Sequence, residues 1–490
     1  MERSTNDVYK PKSFTYYSTK LLVFLSLTLV LLLILFDIQA LQTPLIPNSS
    51  SSSSSVSALT SWSLQQWQKV FNINNNFNYS SELEKMRSKL RDSVTFLPLK
   101  DIRFTETAME GHTWFMSSVN DTYEDDEVEY NYFPSEASKG RLLCITGRDI
   151  HDGGKNLYGF AWPESLPASA TLLDGLTYVS DTHYDYTNLF HGISAMAPFV
   201  GWYKRKGCQK PTRWVLFHWG ELRTEMGSWL QKLMEATFRE VKVEVFERGS
   251  GPFCFEKAVV MRHNLGRMGK DKRVEVFDLL RCKARVFCNV SLTDRAVEIN
   301  GKLMPAIRLT LLMRKGARSF KNELAVIQIF QRECARVEGC KLTVAQSEDL
   351  SFCDQVRLMS STDIVASPHG AQLTNLVFMD RNSSVMEFFP KGWLEMAGPG
   401  QYAHHWMASH SGMKHQGAWW EPLGEKECPY PEQDHHCFSF YKNGQVGHNE
   451  TFFTEWSRKV INQVKISKLD QVSKSLTNEP QLNSNICSCG

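Results

Sequence analysis

Apolar blocks and amphipathic stretches alternate through the second half of the chain, at the lengths of strands and helices. Ala306–Met313 is mostly apolar and bounded by polar residues, as a strand covered on both faces requires. Asn322–Glu338 places Leu324, Ile327, Phe330 and Cys334 at helical spacing and stops near Gly339. Lys341–Ala345 reads as a strand, and Ser347–Ser360 as a helix capped by Ser347. In Asp363–Pro390 an apolar run ends at Ser367-Pro368, a His-Gly-Ala loop and a short helical segment follow, and a second apolar run reaches Glu387. Strand, loop, helix, strand is half of a nucleotide-binding α/β domain, whose loop meets a helix N-terminus at the sheet edge. The same pattern also fits a βαβ unit with no ligand.

The first half alternates less cleanly. Arg141–Thr146, Leu172–Val179, Trp214–Phe217 and Val241–Phe246 are strand candidates, and Glu221–Arg239 has helical spacing. Cys254–His263 and Val274–Val286 continue the alternation. Ser81–Lys89 predicts an opening helix, and Phe452–Lys465 a final one. The fold class expected is α/β, with parallel sheets covered on both faces. Domains are expected at 81–298 and 299–465, hinged near 295–304, with a polar tail at 466–490.

The N-terminus adds a compartment. Leu21–Phe36 carries no charge, and counting on to Leu41 reaches the roughly 20 residues of a transmembrane helix. Arg3, Lys10, Lys12 and Lys20 precede it, so residues 1–20 are expected in the cytosol and 21–41 as a signal anchor. Residues 42–80, with Ser49–Ser55, read as a flexible stem. The remainder is then lumenal, in keeping with sequons at Asn48, Asn78, Asn120, Asn289, Asn382 and Asn449. Twelve cysteines in such a compartment read as disulfides, with Cys428/Cys437 one pair and Cys487 and Cys489 further partners. The net charge of +2 gives no footprint for nucleic acid.

Candidate chemistry gathers in a few loops. The run Arg314-Lys315-Gly316-Ala317-Arg318 follows a strand, where guanidinium forks match phosphate oxygens. His369, Gly370 and Ala371 form the other loop of that half, and Glu387 ends its strand at the place of a ribose acceptor. In the first half the polar cluster Asp181–Asn188, with His191, offers general-base candidates. Trp393, Trp406, Trp419 and Trp420, with Tyr402, are either core or a sugar-stacking platform. The acidic run Asn120–Glu129 reads as a solvated loop. Neither it nor His435-His436-Cys437 has metal-site spacing, and the chain lacks an Asp-x-Asp pair, so no metal is expected.

Together these residues resemble glycosyltransferase family 61, in particular its plant members. The resemblance rests on Arg314–Glu323 (R-K-G-x-R-x-F-x-N-E), His369–Asn375 (H-G-A-x-L-T-N) and Glu387–Pro390 (E-F-F-P), with Gly147–Gly153 and Asn188–His191 in the first half. It implies a GT-B fold, two Rossmann-like domains facing a cleft, and an inverting Golgi transferase. The donor would be a UDP-sugar, bound by Arg314, Arg318, His369, Gly370, Ala371, Asn375 and Glu387, with no cofactor required. The branch it looks most like is linked with xylan xylosylation. That implies a pentosyl donor, a cell-wall acceptor and company with other Golgi transferases. Arabinosyl transfer, an N-glycan acceptor and a non-catalytic scaffold are the alternatives. Relatives commonly carry an Asp four residues after the His of Asn188–His191, where this chain has Ala195. The base is therefore sought at Asp149, Asp185 or His191.

Overall fold

The computed structural model describes residues 81, 83–86, 93–100, 115–247, 251–262, 268–293, 295, 298–299, 304–393, 398–422, 428–430, 435–477 and 487–489. The expected cytosolic tail, anchor and stem, with Asn48 and Asn78, lie outside them. Among the described residues no helix is long and apolar enough to cross a membrane.

The chain from Leu83 on builds two sheets. The first is nine-stranded and comprises β1 (Leu97–Pro98), β2 (Asn131–Phe133), β3 (Leu142–Thr146), β4 (Leu157–Ala161), β5 (Thr171–Thr182), β6 (Arg213–His218), β7 (Glu221–Arg223), β8 (Lys242–Val243) and β9 (Phe253–Arg262). Three helices belong to this half: α1 (Leu189–Arg205), α2 (Ser228–Phe238) and α3 (Lys270–Phe287). The second sheet has five strands, β10 (Ile307–Met313), β11 (Cys340–Gln346), β12 (Ile364–Pro368), β13 (Ser384–Phe389) and β14 (Lys414–Trp420). Its helices are α4 (Glu323–Ala335), α5 (Phe352–Ser360), α6 (Ala403–His410), α7 (His435–Lys442) and α8 (Glu450–Thr477).

The second sheet follows the apolar pattern closely. It runs β11-β10-β12-β13-β14, every pair parallel. All six residues of β13 are buried, as a parallel strand covered on both faces demands. Helix α4 buries Val326, Ile329, Phe330 and Cys334, and the Asn322 side chain caps it by accepting from the Ala325 N–H at 3.0 Å. Ser347 does not cap a continuous helix. Ser347–Asp349 is a single 3₁₀ turn, and α5 starts afresh with Ser351 accepting from the Asp354 N–H.

The first sheet departs from the all-parallel expectation. Only β5–β6, β5–β9 and β6–β8 are parallel; β1, β2, β3, β4 and β7 pair antiparallel. Glu221–Arg223 is β7 and not the start of a helix, because it turns back along β6; α2 begins at Ser228. Of Val241–Phe246 only Lys242–Val243 is strand. Helix α1 is an element the pattern does not predict, since Gly192, Pro198 and Gly201 interrupt it. A proline inside a helix costs about 3 kcal/mol. The burial of every residue from Gly192 to Tyr203 offsets that cost. Gly192 is required by contact, because a Cβ there would collide with Leu230 of α2.

One core joins the halves. It takes Ile193, Phe199 and Trp214 from the first, and Val365, Leu376 and Phe378 from the second. Arg281 and Arg285 of α3 reach across it: Arg281 donates to the carbonyls of Val377 and Ser411, and Arg285 to Phe378 and Asp380. The acidic run is ion-paired and not simply solvated. Arg205 contacts Glu124 and Glu127, Arg262 contacts Asp121, and Glu127 and Glu129 are buried.

All twelve cysteines are paired: 144–254, 208–489, 282–487, 288–353, 334–340 and 428–437. The tail is therefore not a loose polar end. Helix α8 continues to Thr477, and Cys487 and Cys489 fasten the last residues to α3 and just beyond α1. Asn120, Asn289, Asn382 and Asn449 are all exposed, as glycan acceptors must be.

Candidate active site

The order of the second sheet reverses direction between β10 and β12. Open parallel sheets place ligands at that switch point, beyond the carboxyl ends of the strands. The residues leaving β10 are Arg314–Arg318, and those leaving β12 are His369 and Gly370. Topology thus brings the two loops together. Arg314 Nη1 donates to the His369 carbonyl at 3.1 Å and to Gln372 Oε1 at 3.4 Å. Gln372 is held in turn, donating to the Pro368 carbonyl at 2.6 Å.

The basic run divides by function. Lys315 turns outward to a surface ion pair with Asp349 at 2.7 Å. Gly316 and Arg318 both adopt positive φ, which tightens the turn and carries Arg318 inward over the Trp393 ring at 5.2 Å. Burial lowers the affinity of both guanidinium groups for their protons. For Arg318, burial and then the neighbouring Arg314 bring the pKa down to about 10. Arg314 is lowered by burial in the same direction. Both stay charged at neutral pH, and each has a buried Nε without a partner. Two half-desolvated cations side by side suit a diphosphate.

Gly370 serves this arrangement differently from its expected role. Its φ of 162° is ordinary extended backbone. A Cβ there would strike the Arg314 guanidinium and the Gln372 amide, so the glycine makes room for the arginine. Ala371 opens the following segment, which is a 3₁₀ helix, Ala371–Phe378. Asn375 is withdrawn from any ligand. It is 1% exposed, accepts from Trp229 Nε1 at 3.0 Å and donates to the Gln372 carbonyl, so it joins α2 to this segment.

Glu387 also departs from expectation. It is fully buried, and both carboxylate oxygens are engaged. His369 Nδ1 and His404 Nδ1 donate to Oε1 at 2.6 and 2.8 Å, and His415 Nε2 donates to Oε2 at 3.0 Å. No face is left for a ribose. Burial alone drives this carboxyl upward, but the electrostatic pull of His404 and the three imidazole hydrogen bonds hold it well below 4.5. Burial takes His369 down to about 4, against the pull of Glu387, so its ring is neutral at pH 7. The ring packs between Phe389 and Trp393, each at a centroid distance of 4.6 Å. His369, Glu387 and His404 each present a ligand atom within 4.8 Å of the others. The two short nitrogen–oxygen distances are hydrogen bonds, closer than the about 3.3 Å edge of a tetrahedral zinc site with 2.0 Å bonds.

The network leads to a second space. His404 opens onto Phe190 at 5.9 Å between ring centroids, where the first turn of α1 meets α6. There a cleft of about 510 Å³ is lined by Tyr184, Phe190 and His191, by Arg273 of α3, and by Trp406 and His410 of α6. His191 stacks on Tyr184 at 3.9 Å and 17°. Asn188 caps α1 by accepting from the Phe190 and His191 N–H groups, which fixes this corner. Trp406 is 45% exposed and Tyr402 48%, whereas Trp393 and Trp419 are buried. Ala195, one turn on from His191, is buried in the shared core.

The three base candidates separate. His191 lines the cleft. Asp149 accepts from the His151 and Asp152 N–H groups at 2.8 Å each, which holds its own loop and lowers its carboxyl. Asp185 pairs with Arg223 at 2.9 Å. Neither of these lines the cleft. Asp181, at the end of β5, is buried and pushed up to about 8 by desolvation; it accepts from the Gly220 N–H and so braces the β6–β7 turn. Sequence reasoning passed over Gln372, Arg273, His404 and His415. The one signal for the last two was the density of histidines at 404, 405, 410 and 415.

The chain is thus mixed α/β, with paired arginines at the switch point of a parallel sheet, where open sheets of this kind place ligands. The family described as Glycosyltransferase 61 matches residues 179–386, which holds His191, Arg314, Arg318 and His369 and stops just before Glu387. Over that segment the chain is similar to glycosyltransferase family 61. It is similar to Protein O-linked-mannose beta-1,4-N-acetylglucosaminyltransferase 2 of Xenopus laevis, 30% identical over 149 residues, 29% of this chain and 23% of that protein. It is also similar to Alpha-1,3-arabinosyltransferase XAT2 of Oryza sativa subsp. japonica, 24% identical over 276 residues, 52% of this chain and 45% of that protein. The chain thus spans under half the length of each of these curated relatives. The crystal structure of the bacterial iron-containing dodecameric glycosyltransferase TibC from enterotoxigenic E. coli H10407 overlaps 64% of this chain and 82% of its own, at 11% identity and a TM-score of 0.26.

Proposed function

We propose that this protein is an inverting, metal-independent glycosyltransferase. It moves a pentosyl group, foremost xylosyl, from a UDP-sugar to a hydroxyl of a cell-wall polysaccharide such as xylan. The observation that carries the reading is the pair Arg314 and Arg318, charged, half-buried and adjacent at the switch point. In the reaction the acceptor oxygen bonds to the anomeric carbon as the bond from that carbon to the diphosphate breaks. The electron pair leaves with UDP, where Arg314 and Arg318 balance its charge without a metal. The hydroxyl proton passes to His191, the one base candidate that lines the cleft. Glu387, His369 and His404 hold the wall between the two spaces.

In this reading the two sheets are the halves of a GT-B fold, with the donor on the second and the acceptor on the first. The rice arabinosyltransferase relative supports a pentosyl donor. Placement as a single-pass Golgi membrane protein, lumenal beyond residue 41, is supported by the apolar run Leu21–Phe36, the exposed sequons and the full pairing of the cysteines. Ala195 favours a second reading, a non-catalytic carbohydrate-binding scaffold.

The test is to purify the full-length protein in detergent, titrate UDP by calorimetry and assay UDP-xylose, UDP-arabinose and UDP-N-acetylglucosamine with xylan oligomers. Arg314→Ala is expected to lower kcat/KM by about 10²–10³-fold, the loss seen when one preorganised charge-stabilising donor is removed. Near wild-type turnover in that variant sinks the donor assignment, and wild-type protein that binds glycan without UDP establishes the scaffold.

A further inference from the structure

A cavity of about 350 Å³ lies at the end of the second sheet opposite to Arg314 and Arg318, where β12, β13 and β14 begin. We infer that it seats the first sugars of an N-linked glycan carried by Asn382, and that this glycan fastens α8 to the sheet. The inference rests on the lumenal placement proposed above, and it adds which sequon matters and what its glycan touches.

The attachment point is fixed by the fold. Asn382 heads the sequon Asn382-Ser383-Ser384, is exposed and lines the cavity. Its φ of 65° lies in the left-handed region, where asparagine is enriched, and its N–H donates to the Gly412 carbonyl at 2.8 Å. No hydrogen bond engages its side-chain amide among the described residues. Asn449 differs: its Oδ1 accepts from the Phe452 N–H at 3.0 Å, in the first turn of α8. Ser384 is fully buried at the head of β13, and its Oγ accepts from Gln416 Nε2 at 2.9 Å. The sequon is therefore open to modification before the chain folds and closed afterwards. In that modification Asn382 Nδ2 bonds to the anomeric carbon of the first N-acetylglucosamine of a lipid-diphosphate-linked oligosaccharide. The bond from that carbon to the diphosphate breaks, the electron pair leaves with the lipid diphosphate, and the amide gives up one proton.

The lining suits a neutral sugar. Its charged groups are mostly spent on partners: Asp363 takes Lys468 Nζ at 2.8 Å, Asp380 takes Arg285 at 2.6 Å, and Arg381 contacts Asp278. What remains is chiefly amide and hydroxyl. Gln463, Ser467 and Gln471 recur at every fourth residue, which sets them on one face of α8, and Gln416 of β14 joins them. Lys414 adds one ammonium, and the nearly buried Val464 an apolar spot. Sugar hydroxyls both donate and accept, as these side chains do. The volume falls within the roughly 300–1,000 Å³ of small-molecule pockets. Tethering selects the occupant. A sugar joined to Asn382 is held at an effective concentration on the order of millimolar, so contacts too weak to capture a free sugar suffice.

The experiment uses the full-length protein made in mammalian cells and purified in detergent. Glycopeptide mass spectrometry reads occupancy at each sequon, and release by peptide-N-glycosidase F is timed on native and denatured protein. Asn382 is expected to be occupied. In native protein its glycan should be released roughly tenfold or more slowly than those at Asn120, Asn289 and Asn449, and at their rate once denatured. Gln463→Ala with Gln471→Ala keeps the sequon and should bring native release at Asn382 close to that of the other sites. Asn382→Asp, a residue that tolerates the positive φ, should lower Tm by roughly 2–4 °C. Protein bare at every sequon overturns the lumenal reading. The seat alone is overturned if other sequons are occupied and Asn382 is bare, or if its glycan leaves as fast as theirs. Protection unchanged in the double glutamine variant, or a Tm unchanged in Asn382→Asp, overturns it equally.

Discussion

The two sheets meet the same task, holding a ligand edge above buried strands, by different means. The second uses five parallel strands and short loops, and its site follows from strand order. The first mixes parallel and antiparallel strands, and its contribution comes from one corner, the capped start of α1. The lesson is that a regular parallel sheet advertises its ligand edge, because every strand ends there. In a mixed sheet the ends alternate, and only packing selects the functional one. If the contrast holds, disabling the first half should block the chemistry on the acceptor, and disabling the second should damage the donor site and the core together.

The sharpest break would come from His191→Ala. As the acceptor-side base its loss is expected to lower kcat by about 10²–10⁴-fold with UDP affinity unchanged. Asp149→Asn and Asp185→Asn should stay far closer to wild type. Steady-state rates for the three variants decide it; a collapse only in Asp149→Asn or Asp185→Asn moves the base out of the α1 corner.

Glu387→Gln attacks the second half. It leaves three imidazoles around a neutral amide that cannot accept from all of them, and removal of one partner of a buried charged network costs about 3–5 kcal/mol. Urea unfolding measures this. A change under about 1 kcal/mol, with activity lost, makes Glu387 a ligand-facing group after all.

The two tail disulfides bear on what joins the halves. Cys487→Ser with Cys489→Ser opens loops of 205 and 281 residues, and each lost bridge is expected to cost about 2–4 kcal/mol. The urea midpoint of the unreduced double variant, against wild type, is the measurement.

The smallest effect is on pH dependence. His369 and His410 both stand at about 4 in the folded protein, against 6.5 for the free group. Between these values the unfolded chain binds more protons than the folded one, so stability is full above about 6.5 and falls as pH drops toward 4. Tm should decline across that window, with a shallower slope in His410→Gln. A Tm that rises on acidification contradicts the burial of these rings.

How much of this was legible follows from the kind of interaction concerned. The edge residues Arg314, Arg318 and His369 stood out because strand-ending loops are local patterns. Glu387 was read as an edge residue by the same logic, yet it belongs to the interior. Nothing local in E-F-F-P announces that histidines at 404 and 415 return to surround its charge. Asn375 misled in the same way, since its partner Trp229 lies 146 residues away. Helix α1 was hidden because Gly and Pro lower local helix propensity, while the burial that overrides them is tertiary.

The sequence by itself determined the alternation that builds the second sheet, the places where its strands end and the cationic and His-Gly loops that follow them, and the cysteine content that fits an oxidising compartment. Those features depend on residue type and on spacing of a few residues, over which backbone geometry is fixed. Only the tertiary structure decided which charges are free to meet a ligand, which are consumed by partners, and that His191, Tyr184 and Trp406 face one cleft. The reason is physical. Desolvation and hydrogen-bond saturation depend on what the rest of the chain packs around a group, and residues as distant in sequence as Tyr184 and His410 line one cleft only when both halves close on one core.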